Sequence, residues 1–201
     1  MANSRMLDAQ TIDIGARIGM NLSSFNQNLS NPPLTSMPGV TAGVQGDYWF
    51  SQPWALSVQV LYVQKKASLS STVVIVGGPI NYISISSHNY IEIPLEAKLR
   101  PLNDGRFRPY LFAGATIGFL YSATSVTNYS SGASQTYDLK NSTRPNDIGI
   151  IGGLGLDYVV MPEATIFLES SYRLGLISLY NTSRGYTVND LRFWAGIVFG
   201  I

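Results

Sequence analysis

The chain has 201 residues, a formal net charge of +1 and 12% charged residues, about half of the usual fraction near 25%. This charge balance gives no electrostatic basis for binding nucleic acid, and no run of Lys and Arg resembles a patch for anionic lipid. Cysteine is absent, which excludes disulfides and thiolate metal sites, and the single histidine excludes a cluster of histidine ligands.

Eight segments show a period-two alternation of apolar and polar residues, and each is predicted to be a β-strand. In chain order, these strands lie near 11–24, 39–51, 54–68, 89–102, 107–122, 146–161, 164–179 and 189–201. No linker or change of composition divides them, so residues 11–201 are predicted to form one domain. Residues 1–10 lack the apolar core of a signal peptide, and we interpret them as disordered or as an addition made for expression.

The connections between the strands alternate in length. Short turns rich in Pro, Asp and Gly are expected at 51–53, 103–106 and 161–163. Long polar connections are expected at 25–38, 69–88, 123–145 and 180–188. The apolar run at 73–80 within the second of these is interpreted as the extension of a hairpin. This alternation is typical of an all-β, antiparallel, up-and-down meander, which eight strands can close into a barrel.

The alternation also indicates which face of the barrel is outside. In residues 90–101, YIEIPLEAKLRP, bulky residues such as Ile93 and Leu95 alternate with charges such as Glu92 and Glu96. The interior of an eight-stranded barrel is just wide enough for one set of filling side chains, and the bulky residues would crowd it. We therefore predict a transmembrane barrel whose bulky face contacts lipid. The alternative is a soluble, lipocalin-like barrel with that face inside.

The charged residues of the strands are predicted to fill the lumen. A Lys or Arg that faces lipid at the midplane costs about 2 to 4 kcal/mol, so the inner face is where such residues are tolerated. We expect these charges to form one interlocked structural network near mid-barrel. Its predicted members are Asp13, Arg17, Asp47, Glu92, Glu96, Lys98, Arg100, Arg108, Asp157, Glu169, Arg173 and Arg192.

Some residues depart from this simple pattern, and some lumen neighbours can be predicted. Pro94 would break a ladder bond and is interpreted as marking a β-bulge. Tyr110 and Phe112 fall on the inner face, where smaller residues are expected. Arg108 is expected beside the charges of the fourth strand. Asp13 and Arg17 are expected beside Arg192.

Four stretches resemble the small outer-membrane β-barrel families of Gram-negative bacteria: YIEIPLEAKLR, RPYLFAGATIGF, LESSYRLGL and RFWAGIVFGI. The nearest is the PorT-like outer-membrane β-barrel domain, and the enterobacterial eight-stranded barrels are similar in architecture. The resemblance implies an outer-membrane location, a signal peptide that has been removed, short turns in the periplasm and long loops at the cell exterior. It specifies the fold far better than the function.

The sequence predicts no catalytic, cofactor or metal site, and therefore no enzyme. The stretch around His88 places Ser86 nearby, but it does not match the His-x-Ser order of the outer-membrane lipid A deacylases. The first functional hypothesis is a structural or surface-interaction protein, surrounded by lipid or detergent, monomeric, and with an unknown partner at its loops. A narrow pore for ions or small solutes is the second hypothesis, and a lipid-modifying enzyme is a weaker third.

Overall fold

A computed structural model describes residues 11–26, 34–75, 78–102, 104–180 and 187–201. The prediction for residues 1–10 lies outside these described residues. The described strands are β1 (Thr11–Asn26), β2 (Thr35–Ser51), β3 (Trp54–Ile75), β4 (Gly78–Leu99), β5 (Phe107–Tyr129), β6 (Ser134–Asp138), β7 (Asn146–Met161), β8 (Ala164–Gly175) and β9 (Thr187–Gly200). None of the described residues belongs to a helix long and apolar enough to cross a membrane.

Eight of these strands form a closed antiparallel ring. Sheet order runs β4-β3-β2-β1-β9-β8-β7-β5, and pairing of β4 with β5 closes it. β1 bridges the two ends of the chain, because Thr11–Leu22 pair with β2 and Asp13–Asn26 pair with β9. The predicted eight-stranded up-and-down barrel is therefore confirmed. β6 stands outside the ring and pairs with β5 alone among the described strands.

The two ends of the barrel differ in the length of the connections between strands. At one end β2–β3, β4–β5 and β7–β8 are joined by short connections, and we call this the short-turn end. At the opposite, long-loop end, β3 and β4 continue far beyond their predicted limits. Their ladder runs without interruption from Leu61–Glu92 to Ile75–Gly78. Most of 69–88 is therefore an extended hairpin, as the apolar run in this segment indicated.

Bulky side chains cover the outside of the ring. Along β3 the alternating Trp54, Leu56, Val58 and Val60 are each 42–47% exposed, whereas Ser57 and Gln59 between them are buried. The same outward exposure of large apolar residues recurs on the other strands of the ring. A soluble barrel would bury this surface, since its burial stabilises by about 25 cal/mol per Å². The lipocalin-like alternative is therefore wrong.

Two aromatic side chains of β5 enter the lumen at positions where the neighbouring strand carries glycine. Tyr110 and Phe112 on β5 are buried, and they lie beside Gly155 and Gly153 on β7. A Cβ atom built on Gly155 would lie 2.2 Å from the Tyr110 ring, and one on Gly153 would lie 2.6 Å from the Phe112 ring. The expectation of small residues at these positions was wrong, because the glycines on the next strand supply the missing space.

Pro94 does not mark a bulge. The β3–β4 register is the same on both sides of it, since Val58 pairs with Leu95 and Leu61 pairs with Glu92. The proline instead lies where two ladder pairs are missing. The register shift of β4 falls at Asn89–Tyr90, in its pairing with β5, and the prediction at Pro94 was wrong.

Candidate functional site

The lumen holds one group of polar side chains nearer the short-turn end, which we call the short-turn cluster. Its central members are Arg17, Asp47, Gln59, Glu96, Lys98, Tyr110 and Glu169. Glu169 on β8 pairs with Arg17 on β1 and accepts a hydrogen bond of 2.7 Å from Tyr110 on β5. The Lys98 ammonium lies 3.0 Å from the Asp47 carboxylate. These contacts connect strands that are not neighbours in the ring.

A second group, the long-loop cluster, lies higher in the lumen and is centred on Lys65. Its ammonium lies within 3.1 Å of three carboxylates, those of Glu92, Asp147 and Asp190. Two guanidiniums complete the cluster: Arg173 lies 2.9 Å from Asp147, and Arg192 lies 2.8 Å from Glu92 and 2.9 Å from Asp190. Three cations thus meet three carboxylates, which compensates the charge buried there.

The two clusters are separate within the part of the chain that the structure describes. No ion pair or side-chain hydrogen bond between described residues joins them. Leu61, Ile151 and Trp194 occupy inward positions between the two levels and are buried. The Arg17 guanidinium lies 4.3 Å from the Trp194 ring, a cation–π contact at this boundary. The predicted single network is therefore wrong in its connectivity.

The structure places the predicted lumen residues in three groups. Nine are buried: Arg17, Asp47, Glu92, Glu96, Lys98, Asp157, Glu169, Arg173 and Arg192. Asp13 and Arg100 are half-buried near the short-turn end, where Asp13 accepts a hydrogen bond of 2.8 Å from Trp49 and Arg100 pairs with Asp157. Arg108 is half-buried, and its Nε donates to the carbonyl of Gly105 at 3.2 Å.

The predicted lumen neighbours are found only in part. Arg108 lies at the same cavity as Arg100 of the predicted fourth strand, but it forms no ion pair with Glu92, Glu96 or any other described carboxylate. Arg192 pairs with Glu92 and Asp190, not with Asp13 or Arg17. The strand registers give the reason: Arg192 pairs with Asn21 on β1, four residues from Arg17, and Arg108 lies beyond the last pair of β4 with β5.

Sequence reasoning missed three members of the long-loop cluster, namely Lys65, Asp147 and Asp190. The sequence held the information for Asp190, because it lies two residues before Arg192 and therefore points to the same, inner face of the strand. The inward phase of β3 likewise reaches Lys65 two residues after Val63. All three lie near the ends of predicted strands, on the polar face of those strands.

His88 lies at the long-loop end of the lumen, beyond the membrane-spanning part of β4, since the outward residue next to it is the polar Asn89. It is buried, with its ring 6.3 Å from Phe25 and 6.1 Å from Tyr180. Neither ring nitrogen has a hydrogen-bond partner among the described residues. Burial, together with the nearby Lys65 ammonium, lowers the pKa of His88 to about 4. The imidazole is therefore neutral at ordinary pH.

A small sheet projects beyond the ring at the long-loop end, formed by the distal parts of β3, β4 and β5 together with β6. We call it the projecting sheet. Its β3 edge beyond Ser68 has no partner but β4 among the described residues, and its β6 edge, Ser134–Asp138, pairs only with β5. All five residues of β6 are exposed. The projecting sheet therefore presents two edges whose outer backbone groups have no strand partner in the described part of the chain.

Comparisons with known proteins agree on the architecture. A family model described as outer membrane protein beta-barrel domain matches residues 1–181. OprG of Pseudomonas aeruginosa is 11% identical with a TM-score of 0.51, covering 96% of this chain and 98% of that chain. Outer membrane protein W of Escherichia coli is 13% identical with a TM-score of 0.50, covering 98% and 100%. No curated protein sequence matches the chain. The two structural likenesses show the fold alone.

Proposed function

Because the chain belongs to the outer membrane protein beta-barrel domain family, we propose that it is a sealed outer-membrane barrel whose long-loop end binds partners at the cell surface. The observation that carries this proposal is the projecting sheet above a filled lumen. The ring closes within one chain, which supports a monomer. The proposal includes a signal peptide that is removed and an orientation with the short turns in the periplasm.

The filled lumen favours a sealed membrane anchor for the surface loops and argues against a pore. The side chains of Lys65, Glu92, Arg173 and Arg192 are fully buried, and they pair with one another across the barrel at the level of the long-loop cluster. Below them Leu61 and Trp194 are also buried. An ion would have to break these pairs to pass, and each broken pair leaves a buried charge uncompensated. We therefore expect no steady conductance.

The β6 edge supports binding of a polypeptide by strand addition. An open sheet edge offers a row of unpaired N–H and C=O groups that an extended segment of another protein can continue. Natural proteins often protect such an edge with Lys or Pro. The sequence of β6, SQTYD, contains neither. The expected partner is therefore a protein that presents an extended segment.

The test uses the protein in lipid nanodiscs and a displayed library of random peptides. Selected peptides should protect the amides of Ser134–Asp138 from hydrogen exchange. The matched control replaces 130–141 with a short glycine linker. This removes β6 but leaves the ring, because β6 pairs outside it. Equal binding of the selected peptides to both proteins would contradict the proposal.

A separate measurement distinguishes the anchor from the pore. Planar-bilayer recording of the wild-type protein should show no regular conductance steps. Steps of uniform size that persist after removal of 130–141 would favour the narrow pore, and they would refute the sealed lumen.

A further inference from the structure

We propose that the short-turn end of the barrel holds a binding pocket for a small zwitterionic ligand, either an amino acid or a short peptide with free ends. A cavity of about 370 Å³ opens at this end, and its lining includes Asp13, Trp49, Arg100, Arg108 and Glu163. Ligand pockets commonly span about 300 to 1,000 Å³, so this cavity suits a ligand of at most a few residues. It is independent of the projecting sheet, which lies at the opposite end of the barrel.

The cavity is a pocket and not the mouth of a channel, because bonded side chains close its inner end. The Trp49 indole donates to Asp13 at 2.8 Å. The guanidinium of Arg100 lies 3.8 Å from the Trp49 ring and pairs with Asp157. Trp49 and Asp157 are buried, so this floor is fixed on one side by an aromatic contact and on the other by an ion pair.

Arg108 provides the site for the ligand's carboxylate. Its Nε is held by the Gly105 carbonyl at 3.2 Å, which fixes the side chain at the rim of the cavity. Its two terminal nitrogens have no hydrogen-bond partner among the described residues. A guanidinium with two free N–H groups on one edge binds a carboxylate through two parallel hydrogen bonds.

The acids of the cavity provide the site for an ammonium group. Of its three lining carboxylates, Asp157 is neutralised by Arg100, which leaves Asp13 and Glu163. Glu163 forms no ion pair with a described residue and is exposed at the rim. One cation and two carboxylates, none with an ion-pair partner among the described residues, therefore line the same space. A simple anion would be repelled by the acids, and a simple cation by Arg108, whereas a zwitterion can pair its carboxylate with Arg108 and its ammonium with one of the two acids.

The test compares three peptides that differ only at their ends. Binding to the refolded protein in micelles is followed by amide chemical shifts with trialanine, N-acetyl-trialanine and trialanine amide. We expect saturable binding of trialanine, and binding at least tenfold weaker for each blocked peptide. Arg108→Gln should reduce the affinity for trialanine at least tenfold, to the level of trialanine amide. Glu163→Gln should reduce the affinity for trialanine but not for N-acetyl-trialanine.

The matched control is Arg106→Gln, which removes the same charge from the same turn at an exposed residue that does not line the cavity. It should leave trialanine binding unchanged. Equal affinity for the three peptides, no binding of trialanine, or equal loss of binding in Arg106→Gln and Arg108→Gln would overturn the proposal. Shift changes confined to the long-loop end would also overturn it.

Discussion

Lys65→Met removes the central cation of the long-loop cluster while keeping most of the side-chain volume. Glu92, Asp147 and Asp190 would then share only the two guanidiniums, in a part of the lumen where the Lys65 side chain is fully buried. We expect a clear loss of stability, because a buried charge without its partner retains its desolvation cost and loses its compensation.

The expected magnitude follows from the distances. At an effective dielectric constant of about 20, each contact near 3 Å contributes about 5.5 kcal/mol of attraction. Repulsion between Lys65 and the neighbouring Arg173 and Arg192, and the relief of its own desolvation, offset much of this sum. Removal of one partner from a buried pair typically costs about 3 to 5 kcal/mol, and we expect Lys65→Met to lie in this range.

The assay is urea unfolding in detergent micelles, followed by the loss of β-structure. Lys66→Met is the matched control, since Lys66 is the next residue on β3 and points away from the lumen, and it should change stability by at most about 0.5 kcal/mol. The double variant Lys65→Met/Asp147→Asn removes a neutral pair. It should therefore recover part of the lost stability.

A cost below about 1 kcal/mol for Lys65→Met would refute the reasoning, because it would mean that water already reaches the cluster and screens it. The same variant should remain closed in bilayer recordings. If Lys65→Met left stability unchanged but altered conductance, the long-loop cluster would line an aqueous path.

Three further outcomes are expected. Gly155→Ala should destabilise by about 1 to 3 kcal/mol in urea unfolding, because its Cβ would overlap a tyrosine ring, whereas Gly46→Ala, with open space around it, should have little effect. His88 is the single histidine, and the NMR signals of its carbon-bound protons should titrate with a midpoint near pH 4. Because the imidazole of the unfolded chain takes up its proton near pH 6.5, the free energy of unfolding should fall by up to about 3 kcal/mol between pH 6.5 and 4. A His88→Gln variant should lack this part of the pH dependence. Trypsin added to intact cells should cut after Lys140 and spare Arg106, and cleavage in the opposite order would invert the proposed orientation.

Much of the fold was predictable because one physical rule governs every strand. Side chains alternate between lipid and lumen, so bulky residues such as Leu56 on β3 and Leu154 on β7 show which residues of each strand face lipid and which face the lumen. The short turns were predictable from Pro, Asp and Gly. The continuation of β3 to Ile75 was less visible, because above the membrane both faces of the sheet are solvated and the alternation weakens.

The partners in the lumen could not be predicted in the same way. The sequence places Arg17 and Glu169 on inner faces, but their pairing depends on the height of each strand in the ring. That height is set by the register of all eight strands together. The separation into two clusters, and the free rim position of Arg108, therefore emerge only with the closed barrel.

The ion pairs that cross the lumen also constrain how the barrel is assembled. Arg17 on β1 meets Glu169 on β8, and Lys65 on β3 meets Asp147 on β7, so a partly formed sheet would lack these partners. Such a sheet would turn an unpaired Arg17 toward the hydrocarbon, at a cost of about 2 to 4 kcal/mol for a cation near the midplane. Half-inserted states are therefore unfavourable, and insertion into the bilayer and closure of the ring are expected to occur as one cooperative event.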